Sequence, residues 1–161
     1  SFEAARVVGA DGVELDVRRS ADGVLIVHHD SRADGIGVLA HASFENIRSA
    51  LPWLPTLDEA LDACIGMELV NIEIKNIPTE PDFDHSERVT DAVVEFLSRR
   101  RTSQRRTTDD PSLEPTVVIS SFTVPTLERA LEVDHSIDTA WLTFPDLEPL
   151  AASCVAPVTW A

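Results

Sequence analysis

The sequence predicts an α/β fold built on a largely parallel sheet, and three observations carry that expectation. Short stretches of strict apolar–polar alternation recur at 12–17 and 69–75. A third run, Val117-Val118-Ile119-Ser120-Ser121, reads as a buried strand. Segments with helical spacing lie between them, so strand and helix alternate through most of the chain.

Taken in order, Phe2, Ala5, Val7 and Val8 belong to a short stretch of helix formers that Gly9 closes. Gly12-Val13-Glu14-Leu15-Asp16-Val17 then alternates, placing Val13, Leu15 and Val17 on one face and Glu14 and Asp16 on the other. After Arg18-Arg19, the turn signal Ser20-Ala21-Asp22-Gly23 leads to a second strand at 24–29 that ends in His28 and His29. Strands joined so tightly pair antiparallel, which interrupts the strand–helix alternation here. Residues 42–51 read as a helix, and Pro55-Thr56 opens and caps another at 57–61. The strand at 69–75 carries Glu73 and Lys75 on its charged face. The clearest amphipathic helix is 86–100, with Val89, Ala92, Val93, Phe96 and Leu97 along one side. Beyond it the expected elements are the strand at 117–121, a helix at 125–133, a strand at 139–144, a short helix at 146–152 and a strand at 154–160. The polar, Arg-rich stretch 100–115 reads as a surface loop, with an anion-binding role for Arg99, Arg100, Arg101, Arg105 and Arg106 as the alternative.

The chain of 161 residues fits one domain spanning 1–161, and 43% hydrophobic residues suffice for its core. A formal charge of −15 argues against a nucleic-acid partner, because phosphate backbones demand concentrated Lys and Arg. An anionic small molecule remains compatible if a bound cation reverses the local sign. No apolar run approaches the roughly 18 residues of a transmembrane segment. No basic head followed by an apolar stretch marks an export signal, so the cytoplasm is the expected compartment. Cys64 and Cys154 form no CxxC pair; reduced, buried thiols are the reading, with a disulfide left open. Twelve Arg accompany a single Lys, Lys75. It marks a position that needs a compact ammonium or else the survivor of a coding preference for Arg.

Acidic residues inside strands call for a reason, because strands disfavour them. Glu14 and Asp16 point to one side, and Glu73 does the same on a later strand beside Lys75. Converging carboxylates repel unless a cation neutralises them, and such oxygen ligands suit Mg²⁺, Ca²⁺ or Mn²⁺. Solvent-facing strand margins are the alternative for Glu14 and Asp16 taken alone. His28-His29-Asp30 closes the second strand within reach of the first, and a His beside a metal and a phosphate serves as general acid or base. His41, His85 and His135 receive no role.

With these residues assembled, the segments 9–17, 22–24 and 27–30 resemble the signature of the glycerophosphodiester phosphodiesterase family. Leu54-Pro55-Thr56-Leu57-Asp58-Glu59-Ala60-Leu61, Asn71-Ile72-Glu73-Ile74-Lys75-Asn76 and Ile119-Ser120-Ser121-Phe122 resemble later parts of that family in the same order. The resemblance implies a TIM-type (β/α) barrel with its site at the C-terminal strand ends. It also implies a divalent-metal phosphodiesterase of lipid and glycerol metabolism that releases sn-glycerol 3-phosphate and an alcohol from small glycerophosphodiesters. Glu14, Asp16 and Glu73 correspond to metal ligands, His29 to the second catalytic His, and Lys75 to a basic residue holding a phosphate oxygen. His28 falls where the family varies. The family opens with a strand ending in His-Arg-Gly and a Glu-Asn-Thr element, which the resemblance places upstream of Ser1. The expectation is therefore an incomplete barrel, its first strand and last strands missing and the first catalytic His absent. A non-catalytic relative serving as a binding module, or another phosphodiesterase of the same superfamily, are the competing readings.

Overall fold

Gly12 opens the first strand because nothing larger fits: a Cβ there would lie 2.7 Å from the carbonyl oxygen of Leu69. A computed structural model of the chain describes residues 2–104 and 114–143. The elements are α1 (Phe2–Val7), β1 (Gly12–Arg19), β2 (Leu25–Val27), β3 (Arg32–Ala33), β4 (Gly37–Val38), a 3₁₀ turn (Leu39–His41), α2 (Phe44–Ala50), α3 (Leu57–Ala63), β5 (Leu69–Ile74), α4 (Arg88–Gln104), β6 (Thr116–Ser121), α5 (Val124–Val133) and β7 (Asp138–Trp141). Five strands form one sheet in the order β2-β1-β5-β6-β7. β1, β5, β6 and β7 run parallel, and β2 turns back antiparallel on β1 with Val17 opposite Val27. That is the hairpin expected from the Asp22-Gly23 turn.

Period two assigns each face of the sheet a partner. Leu15 and Val17, Val70, Ile72 and Ile74, and Ile119 bury one face against Leu57 and Leu61 of α3, Val89, Val93 and Leu97 of α4, and Leu127 of α5. Each fully buried side chain of this kind contributes about 1.5–3 kcal/mol before entropy is counted. Ile26, Leu39, Ile47 and Leu54 make a smaller core beneath the hairpin. The opposite face carries the polar side chains. Among the described residues the sheet stays open from β2 to β7 and the barrel does not close.

α3 begins as expected. Thr56 Oγ1 accepts from the Glu59 N–H at 3.2 Å, and Glu59 Oε2 accepts from the Thr56 N–H at 2.8 Å. Three boundaries differ from the sequence expectation. β2 ends at Val27, so both histidines lie beyond it. α4 continues to Gln104 through residues that read as loop; Arg100 holds that turn by bonding Asp58 and Asp62 of α3, each at 2.7 Å. β7 stops at Trp141. Arg99 pairs with Glu95 and Arg101 with Asp134. The two-residue strands β3 and β4 pair around Gly35, whose φ of 78° lies in the left-handed region. The expected elements at 146–152 and 154–160, Cys154, Arg105 and Arg106 lie outside the described residues.

Candidate active site

Three carboxylates and one ammonium meet on the polar face of the sheet. β1 supplies Glu14 and Asp16; β5 supplies Glu73 and, one step past its end, Lys75. The parallel register sets Asp16 opposite Glu73 and Glu14 opposite Asn71. One oxygen from each of Glu14, Asp16 and Glu73 lies within 4.8 Å of the other two. Lys75 Nζ stands 2.9 Å from Asp16 Oδ1 and 2.5 Å from Glu73 Oε1. The contact with Glu73 is an ion pair without hydrogen-bond alignment. Phe122, at the end of β6, places its ring centroid 5.9 Å from the same ammonium.

One ammonium cannot neutralise three carboxylates, and the Glu14 carboxyl reflects this. Burial lifts the Glu14 carboxyl above its ordinary value; the charges of Asp16 and Glu73 lift it further, and Lys75 pulls it partly back. Burial depresses the Lys75 ammonium, but its pairing with Glu73 and Asp16 outweighs that and leaves its pKa raised. Two neighbouring oxygens lack a hydrogen-bond partner among the described residues: Asn71 Oδ1 and Ser120 Oγ. By register they stand opposite Glu14 and Glu73 respectively. Every donor in the cluster is a hard oxygen, and a surplus of such oxygens suits a divalent cation of the Mg²⁺, Ca²⁺ or Mn²⁺ type.

His29 sits apart from this cluster. Its side chain is 72% exposed, with Nδ1 2.7 Å from Asp30 Oδ1. The hydrogen bond from His29 holds the Asp30 carboxyl below the usual range. Among the described residues, no hydrogen bond or ion pair joins the His29 ring to Glu14, Asp16, Glu73 or Lys75. The segment is fastened at their level by the His28 N–H, which donates to the Asp16 carbonyl at 3.0 Å. The His28 ring lies 6.2 Å from the exposed Trp53.

Two groups of polar residues around the site escaped the sequence reading. Arg18, next after Asp16 on the same face of β1, is buried and bonded to the carbonyl of His29 and the carboxylate of Asp82. Period two was the available signal. Glu87 is also buried, at a φ of 53° that costs a non-glycine residue strain. It accepts from Asn76 Nδ2 and Thr90 Oγ1, each at 2.7 Å, and from Thr126 Oγ1 at 3.0 Å. Asn76 in turn clasps the backbone of Asp84, so the residue after Lys75 is locked from several sides. No local pattern announces that network.

A parallel sheet whose polar face gathers hard oxygen donors at a lysine fits the class: part of a (β/α) barrel with an acidic site. The chain belongs to the glycerophosphoryl diester phosphodiesterase family, whose model matches residues 1–156. Glycerophosphodiester phosphodiesterase 1 of Bos taurus is 27% identical over 155 residues, covering 85% of this chain and 41% of that protein. The glycerophosphodiester phosphodiesterase of Caldanaerobacter subterraneus subsp. tengcongensis is 32% identical over 139 residues, covering 76% and 50%. The chain thus spans about half the length of the curated relatives it matches. Among solved structures, the glycerophosphodiester phosphodiesterase of Thermotoga maritima superposes with a TM-score of 0.65 at 25% identity, over 90% of this chain and 54% of that one. A phosphodiesterase of Oleispira antarctica, solved with the product sn-glycerol-3-phosphate, superposes with a TM-score of 0.71 over 96% and 64%; its 21% identity extends the likeness to the fold alone. The expected fold class, an incomplete TIM-type barrel, is borne out. No described helix is long and apolar enough to cross a membrane.

Proposed function

We propose that this chain contributes the metal-binding half of a site that hydrolyses glycerophosphodiesters to sn-glycerol 3-phosphate and an alcohol. The observation that carries the reading is the convergence of Glu14, Asp16 and Glu73 within 4.8 Å, with Lys75 among them, in a member of this family. A divalent cation held by those carboxylates would place positive charge against the phosphoryl oxygens and offset the charge that grows in the transition state. Lys75 adds a second positive centre; its raised pKa keeps it an ammonium at neutral pH. His29 exchanges a proton with the leaving alkoxide or the nucleophile. Asp30 engages Nδ1 and so leaves Nε2 as the nitrogen for that transfer.

The reading treats 1–161 as one domain and the cytoplasm as its compartment. The test is release of sn-glycerol 3-phosphate by the full-length protein from a panel of glycerophosphodiesters. Mg²⁺, Mn²⁺ and Ca²⁺ are added in turn to chelator-treated protein. Turnover that needs one of these ions supports the proposal, and turnover indifferent to chelation refutes the metal role.

A further inference from the structure

We propose that Arg18 is a positioning residue that fastens both His29 and the loop following Lys75 to the face bearing the carboxylates. Alternation along β1 puts Arg18 on the side of Glu14 and Asp16, one layer closer to the strand's C-terminal end. Its side chain is among the largest fully buried ones in the protein, at 2% exposure. The guanidinium is used along its whole edge. Nε and Nη2 donate to the carbonyl of His29 at 3.0 and 2.6 Å. Nη1 donates to Asp82 Oδ2 at 2.7 Å, and Nη2 forms an ion pair with Glu80 Oε2 at 2.6 Å.

One planar cation therefore joins a segment eleven residues away to one sixty-four residues away. The exposed His29 ring has Asp30 as its side-chain partner, so the ring's position depends on where its backbone is held. Arg18 holds that backbone, and the Asp82 contact ties the same anchor to the loop that begins at Lys75. A lysine would keep the charge but not the fork that grips one carbonyl with two donors. Arg18 makes no hydrogen bond or ion pair to Glu14, Asp16 or Glu73 among the described residues, so its influence passes through His29 and the loop.

The kinetic arm of the test rests on the phosphodiesterase reading; the structural arm does not. Arg18→Lys and Arg18→Gln are compared with the wild type in the full-length protein. Hydrogen exchange is followed in peptides covering 28–31 and 78–84, with β5 as the internal reference. Faster exchange in both segments with β5 unchanged is the expected result. No change in either segment, or faster exchange throughout the sheet, overturns the proposal. In turnover of a glycerophosphodiester with Mg²⁺, kcat falls about ten- to a hundred-fold while KM stays nearly constant. In a His29→Ala background Arg18→Lys produces a smaller further loss than in the wild type, and a fully additive loss there overturns the proposal. Arg18→Lys keeps the ion pairs and serves if Arg18→Gln does not fold. If the wild type shows no turnover, the phosphodiesterase reading fails and hydrogen exchange alone decides the role of Arg18.

Discussion

The two faces of β1, β5 and β6 are built from opposite materials on the same backbone. One face presents Leu15, Val17, Ile72, Ile74 and Ile119 to the helices. The other presents Glu14, Asp16, Arg18, Asn71, Glu73 and Ser120. A single residue step separates Ile72, which contributes stability, from Glu73, whose buried charge beside Asp16 opposes it. Adjacent positions can therefore be altered with nearly independent consequences for folding and for chemistry.

The sharpest way to break this division is Glu73→Gln. On the proposed function, turnover by the full-length protein should fall by at least about a hundred-fold, since a proposed ligand and its charge are lost together. The urea midpoint should hold or rise, because a like-charge neighbour of Asp16 has gone. A large drop in midpoint would show that the polar face also carries the fold. One residue earlier, Ile72→Ala should do the reverse. It should cost about 2–5 kcal/mol in urea unfolding while leaving the proposed divalent-ion binding of the folded protein, by calorimetry, equal to that of the wild type. Lys75→Met lies between these extremes. Leaving Asp16 and Glu73 without their ammonium should destabilise the metal-free protein by about 3 kcal/mol, and a divalent cation should restore most of it. Failure of every cation to restore it in thermal melts would remove the cluster as a metal site. The smallest effect belongs to the margin of the helical layer. Thr56→Ala should cost about 1 kcal/mol by loss of the cap. The hydrogen bond from Arg48, and next that from the Thr56 N–H, hold the Glu59 carboxyl below its ordinary 4.5. A depressed carboxyl stabilises the fold above that value and loses its contribution as pH falls through the lower folded one. Both bonds survive in Thr56→Ala, so acid should weaken the variant and the wild type alike in urea unfolding.

Much of this was legible in the sequence because it is local. Alternation placed Glu14, Asp16 and Glu73 on shared faces, and the Asp22-Gly23 turn announced the β1–β2 hairpin. The lone lysine proved to stand among the carboxylates. What escaped depends on distance along the chain. Arg18-Arg19 stands before a turn signal, and nothing local reveals that Asp82 will arrive to pair with the first of them. The last turn of α4 reads as loop until Asp58 and Asp62 supply partners for Arg100. β3 and β4 are too short for periodicity to register. The expectation for His29 stands differently: its backbone is tied beside the cluster while its ring faces solvent.

The register of β1 on β5, with Asp16 opposite Glu73, has a consequence for how the chain reaches its native state. A slip of one residue would turn Glu14 and Asp16 toward α3 and α4, where no cation or donor awaits them, and would turn Leu15 and Val17 away from those helices. Such a misaligned sheet would bury unpaired charge as the helices pack onto it, which disfavours that register. The acids thus proofread assembly. A variant stripped of them should retain its core residues yet refold less faithfully, with more of its material lost to aggregates.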